Sequence, residues 1–296
     1  FGALLRVVFR YGLTDVLREE VAGYATSLAY RQSPHDAMAL LLDSWIVAMQ
    51  GLIRPPECHV LTAPLQRLRD ELPDWVCIPP SASPLPPQVE AMMGRLVVGD
   101  RAGAEAVMRG RLAAGVPPWD VVPELILAAM AEIGSRWERN ELTIYQEHLA
   151  TETVIRLLAG WPSAVTGDPP LHRLALVSCV PDDHIQLVPL ALAVYLELRG
   201  WNAMSLGYGL PADQIAAAAE AFRPDAVFLS LAMVARLPGA LETVERLARL
   251  SPRPVILVGG RGARQARVWL QSAGAEVPTS FDDGHQRALT MGGPHA

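Results

Sequence analysis

The sequence predicts a protein of α/β plus α class: an N-terminal helical region, a four-helix bundle and a C-terminal doubly wound parallel sheet. Three observations predict it. Two Pro-rich breaks, 78–87 and 162–170, read as linkers and divide the 296 residues into blocks 1–77, 88–161 and 171–296. The first block carries apolar residues at spacings of three and four, the period of a helix face. The last alternates short, almost wholly apolar runs with helical stretches, as strands buried on both faces do.

The elements follow in order. In the first block Thr14 and Asp15 suit a helix start running toward Tyr30, and Ser33-Pro34 suits the start of a second through Met49. Met38, Leu41, Leu42, Trp45, Ile46 and Met49 mark its core face. In the second block Pro86-Pro87 leads into a helix ending near Val98, and Asp100 caps the next. Pro117-Pro118 opens a third over Trp119–Arg136, and a fourth spans Thr143 to Leu158. Short connections between them favour antiparallel neighbours. In the third block the apolar runs are 174–180, 226–231 and 254–260. Helices are expected over Val188–Arg199, Ala212–Phe222 and Gly239–Leu250.

Composition narrows the chemistry. All 25 cationic residues are arginine; the chain has no lysine. That excludes Schiff-base cofactors, pyridoxal and retinal among them, together with P-loop and protein-kinase phosphate sites. Arginine is no substitute, because it stays protonated and carries no nucleophilic amine. The net charge is −6, and residues 1–77 hold seven Arg against nine Asp and Glu. This balance argues against direct DNA binding. Cys58, Cys77 and Cys179 are odd in number and form no C-x-x-C, which predicts reduced thiols in a cytoplasmic protein. No apolar run approaches 18 residues, so no membrane partner is expected.

In doubly wound sheets ligands bind beyond the carboxyl ends of the strands. Three sets of residues stand there: Asp182 and His184 after the first run, Ser230 near the end of the second, and Gly259-Gly260 after the third. This order of residues resembles the Rossmann-like cobalamin-binding fold shared with methionine synthase. Each residue suits the role that the resemblance implies: an imidazole is a good cobalt ligand, and a carboxylate two residues before it can hold the ring's other nitrogen. A serine hydroxyl can bond a ring nitrogen, and paired glycines let a flat heterocycle approach the backbone. The resemblance implies that His184 ligates cobalt from below and displaces the cofactor's dimethylbenzimidazole. The nucleotide tail would then run past Ser230, Gly259 and Gly260. One position departs: the family motif D-x-H-x-x-G ends here in Leu187.

Ahead of the sheet, Trp137 is followed after nine residues by Glu147-His148. The pattern resembles the helical cap of CarH-type photoreceptors. The resemblance implies adenosylcobalamin as cofactor, with Trp137, Glu147 and His148 around the adenosyl group. A large apolar ring beside a carboxylate and an imidazole suits such a ligand, with packing area for its base and acceptors for its ribose hydroxyls. Where that family supplies a further histidine, this chain has Glu138. The acidic helical first block is similar in arrangement to photocobilins, which implies biliverdin as a second chromophore. Arg54, Cys58 and His59 are its candidate contacts through a propionate, a thioether and a hydrogen bond. The expectation is a light sensor and not an enzyme. Photolysis of the cobalt–carbon bond would change conformation and subunit assembly, making a light-dependent homo-oligomer. The alternative is a corrinoid methyl-transfer protein that carries methylcobalamin for a partner methyltransferase.

Overall fold

The computed structural model describes residues 1–30, 36–72 and 84–292. Cys77, the helix start at Ser33-Pro34 and most of the expected first linker lie outside the described residues. By packing, the chain falls into two units: Phe1–Leu85 with Ile133–Glu147, and Pro86–Glu132 with His148–Ala296.

The first unit contains α1 (Gly2–Tyr11), α2 (Thr14–Tyr30), α3 (Asp36–Leu52) and α4 (Glu57–Glu71). Gly12 ends α1 in the left-handed conformation, φ 67°, where a glycine costs no steric strain. Leu5, Val8, Leu17, Leu42 and Leu65 are fully or almost fully buried and form its core. Of the expected face on α3, Met38, Leu42 and Ile46 are buried and Leu41, Trp45 and Met49 half-buried, while Leu40 and Val47 face outward. The guanidinium of Arg69 holds both carboxylate oxygens of Asp43 at 3.1 Å.

The second unit begins with α5 (Pro87–Leu96) and α6 (Arg101–Ala113), the latter capped by Asp100, whose carboxylate accepts from the Gly103 amide at 2.9 Å. The expected helix over Trp119–Arg136 is not uniform. Val122–Leu127 winds as a π-helix before α7 (Ala128–Glu138). Pro123 sits inside the stretch; its missing N–H and bulky ring disfavour regular α winding there. The last helix, α8 (Ile144–Ala164), runs beyond its expected end and into the expected second linker. Buried Trp161 anchors it through an indole bond to the Pro118 carbonyl at 3.2 Å, and Pro162 removes only one hydrogen bond from the final turns. Helices α7 and α8 each pass from one unit into the other.

The sheet has four parallel strands in the order β2-β1-β3-β4: β1 (Leu174–Cys179), β2 (Asn202–Gly207), β3 (Ala226–Ser230) and β4 (Val255–Gly259). Between them run α9 (Leu187–Leu198), α10 (Ala212–Phe222) and α11 (Leu237–Leu247). After β4 come α12 (Arg261–Gln265), α13 (Arg267–Ser272) and α14 (Phe281–Met291). The strand order reverses between β1 and β3, which opens a crevice at their carboxyl ends. Every residue of β3 is buried, and α9 buries eight of its twelve. Among the described residues no helix is long and apolar enough to cross a membrane.

Two polar groups fasten the core. Arg199 gives one nitrogen to Asp168 at 3.0 Å and another to Tyr195 at 2.9 Å and Asp282 at 3.0 Å. Its guanidinium also lies 5.2 Å from the ring centre of Trp119. Beside it His285, 3% exposed, accepts the indole hydrogen of Trp201 at 2.9 Å. Burial, helped by Arg199, pushes the His285 imidazole down to about 4. The unfolded chain therefore binds a proton below about pH 6.5 that the folded chain refuses until about pH 4. The contribution of His285 to stability is complete above pH 6.5 and is lost as the pH drops toward 4, on the order of 3 kcal/mol. Urea unfolding of His285→Gln across this window should give a flatter pH profile. An unchanged profile would show that another group titrates.

Candidate functional site

The strand register brings the expected residues to one level. Ser230 pairs with Cys179 on one side and with Gly259 on the other. Ser230, Gly259 and Gly260 line one cavity of about 270 Å³. Its remaining walls are mostly apolar and include Val188 and Leu192 of α9, Phe281 of α14, and Pro123 and Leu127 of the π-helical stretch. A side chain on Gly259 would meet nothing within 4 Å, so this position faces open space. Gly260 holds φ 110°, and a methyl group there would run into the Leu231 carbonyl. A mostly apolar slot with the Ser230 hydroxyl on the sheet, Thr279, Ser280 and Arg264 as its other polar lining, and two bare backbone positions fits a buried flat heterocycle.

His184 follows β1 on the loop 181–186 and is exposed. Its ring meets Tyr208 edge-on, with centroids 5.8 Å apart. Asp182 is also exposed and adopts φ 61°. The carboxylate that the fold holds is Asp183, 2% exposed, which accepts from the Ile185 amide at 3.2 Å and the Ala232 amide at 2.8 Å. The Cys179 thiol reaches the Ile185 carbonyl at 3.6 Å, and burial beside Asp183 pushes it up to about 12, so it remains a neutral thiol. Leu187, at the place of the motif glycine, is the first residue of α9 and packs into the core.

The remaining expected residues lie in helices. Trp137 on α7 and Glu147 on α8 are half-buried and belong to the first unit; His148 is exposed and belongs to the second. Glu138 is exposed. Cys58 is buried on α4 at 3% exposure, whereas Arg54 and His59 are exposed. The strand ends also present residues that the sequence reading did not single out. Ile185, Tyr208 and Met233 follow β1, β2 and β3 as large, exposed apolar side chains. Tyr208 follows β2, whose residues form no apolar run that marks a strand. Nothing local distinguishes Asp183 from Asp182.

A cavity at the reversal point of a parallel sheet, with an exposed histidine at the same strand ends and a helical module before it, defines the corrinoid-binding class. The comparisons agree. Residues 173–279 match a B12 binding domain, and residues 89–159 match a second model of that description. The fold is similar to that of the monomethylamine corrinoid protein of Methanosarcina barkeri, with a TM-score of 0.53 and 18% identity over 69% of this chain and 98% of that one. Two curated proteins of Myxococcus xanthus are similar in sequence. The HTH-type transcriptional repressor CarH is 31% identical over 203 residues, 68% of this chain and 67% of CarH. The HTH-type transcriptional repressor CarA is 32% identical over 160 residues, 53% of each chain. The chain belongs to the CarH family of B12-binding proteins, and it spans about half the length of CarA.

These relatives correct one expectation. Both are HTH-type transcriptional repressors, so the acidic balance of the sequence does not argue against direct DNA binding. Net charge averages over a whole chain, whereas a DNA-reading surface needs only a local field. Both are also repressors and not enzymes, in keeping with the sensor class that the sequence predicts.

Proposed function

We propose that the chain is a light-responsive regulator that holds adenosylcobalamin, with His184 as the lower cobalt ligand. The observation that carries this reading is the convergence of Ser230, Gly259 and Gly260 on one cavity at the strand ends that also bear His184. When bound, the cofactor supplies a cobalt–carbon bond that visible light breaks. His184 offers a ring nitrogen to the metal. The Ser230 hydroxyl bonds a ring nitrogen of the nucleotide tail, and the bare backbone at Gly259 and Gly260 leaves room for it. For the adenosyl group, Trp137 would offer packing area, and Glu147 and His148 polar partners. The output of illumination would be a change in conformation and subunit assembly.

Biliverdin would be a second chromophore in the N-terminal helical region. Because Cys58 is buried, the expected attachment is non-covalent, with Arg54 and His59 as exposed contacts. Added bilin should then co-elute with the protein but separate from it on denaturation.

The test is one preparation loaded with adenosylcobalamin and measured before and after green light. The spectrum and the elution volume should both change, and His184→Ala should alter the dark spectrum. Identical dark and illuminated samples would overturn the light-responsive part. A preference for methylcobalamin over adenosylcobalamin would favour methyl transfer instead.

A further inference from the structure

We propose that Asp183, and not its neighbour Asp182, is the positioning residue for the loop that presents His184; this rests on His184 being the cobalt ligand. A carboxylate 2% exposed is costly to bury unless hydrogen bonds hold it. Asp183 has two such bonds, and they come from different parts of the chain. The Ile185 amide lies inside the loop, and the Ala232 amide lies in the segment after β3. One side chain therefore staples the loop after β1 to the segment after β3, across the reversal point of the sheet.

The local backbone explains the choice between the two aspartates. Asp182 takes a left-handed turn, φ 61°, after which Asp183 points inward and His184 outward. The Asp183 amide is tied to the Val180 carbonyl at 3.1 Å. Ile185 is held at both ends, its amide by Asp183 and its carbonyl by the Cys179 thiol at 3.6 Å. His184 thus stands between two fixed residues, and its ring rests edge-on against Tyr208. Asp183 acts through the backbone, by setting where the imidazole starts. The ordering cost of the ligand loop is then met before the cofactor arrives.

The experiment compares Asp183→Asn, Asp182→Asn and His184→Ala. Without cofactor, amide hydrogen exchange is read at Ile185 and Ala232. Asp183→Asn presents an amide nitrogen to one of the two N–H groups, so exchange at these positions should rise by about tenfold or more. Asp182→Asn should leave it unchanged. With aquacobalamin as the probe, affinity should fall on the order of 10- to 100-fold in Asp183→Asn, the usual effect of losing a group that orients a metal ligand, at least as far in His184→Ala, and not in Asp182→Asn. After reduction to the cobalt(II) form, electron paramagnetic resonance of protein labelled with ¹⁵N-histidine reports whether histidine coordinates. The histidine splitting should weaken in Asp183→Asn and vanish in His184→Ala. If Asp183→Asn does not fold, Asp183→Ser, which keeps one acceptor, is read in the same way.

Unchanged exchange and full histidine splitting in the Asp183 variant would overturn the proposal, as would the same losses appearing in Asp182→Asn. Histidine splitting that survives in His184→Ala would instead overturn the ligand assignment. The exchange data without cofactor would still report on the staple.

Discussion

Gly260→Ala is expected to destabilise the sheet domain by at least about 2 kcal/mol. The backbone there holds φ 110° and ψ 172°, a region that only glycine enters without strain. The new methyl group would meet the Leu231 carbonyl oxygen, with the carbonyl carbon 2.8 Å away. Neither side has freedom to yield. The Leu231 amide is bonded to the Gly259 carbonyl at 2.8 Å, and the Gly260 carbonyl accepts from the Arg264 amide at 3.2 Å. Strain and overpacking therefore fall on the same atoms. Urea unfolding would show a lower midpoint with an unchanged slope. A midpoint equal to that of the parent protein would mean that the turn relaxes in a way this backbone does not suggest.

Its neighbour should behave in the opposite manner. Gly259→Leu adds a side chain that meets nothing within 4 Å of its first carbon and projects into the 270 Å³ cavity. Stability should remain within about 0.5 kcal/mol of the parent. Cobalamin affinity should fall by roughly 10- to 100-fold, because overfilling a packed site costs about 1–3 kcal/mol. Cobinamide, which lacks the nucleotide tail, is the discriminating probe: its affinity should not change. Titration calorimetry with both compounds tests this directly. An equal loss for both would place the cavity's role elsewhere than in holding the tail. Two adjacent glycines thus separate a requirement of folding from a requirement of binding.

How much of this was legible follows from the residues. Strands β1, β3 and β4 are buried and nearly uniform in apolar character, so composition alone located them. The strand-end rule then pointed to Ser230, Gly259 and Gly260, whose convergence depends only on register. Strand β2 escaped because Asn202–Gly207 is an edge strand without a β-branched residue and with no fully buried position. Tyr208 was lost with it. The expected helix over Trp119–Arg136 carries no sequence sign of the π-helical stretch at Val122–Leu127. The inward turn of Asp183 depends on the φ of the residue before it, which a string of two aspartates does not reveal. Cys58 offered a thiol to a bilin in the sequence, but its place on the inner side of α4 is fixed by packing.

The burial of α9 has a mechanical consequence. A helix that buries eight of twelve residues, with Leu196 and Tyr195 deep in the core, cannot slide or lift without exposing much of that core. It is a stator. The loop carrying His184 joins its N-terminus directly, so a metal held by that histidine would be referred to the immobile part of the sheet domain. If the proposed function holds, any movement that follows illumination would have to be taken up by elements other than α9.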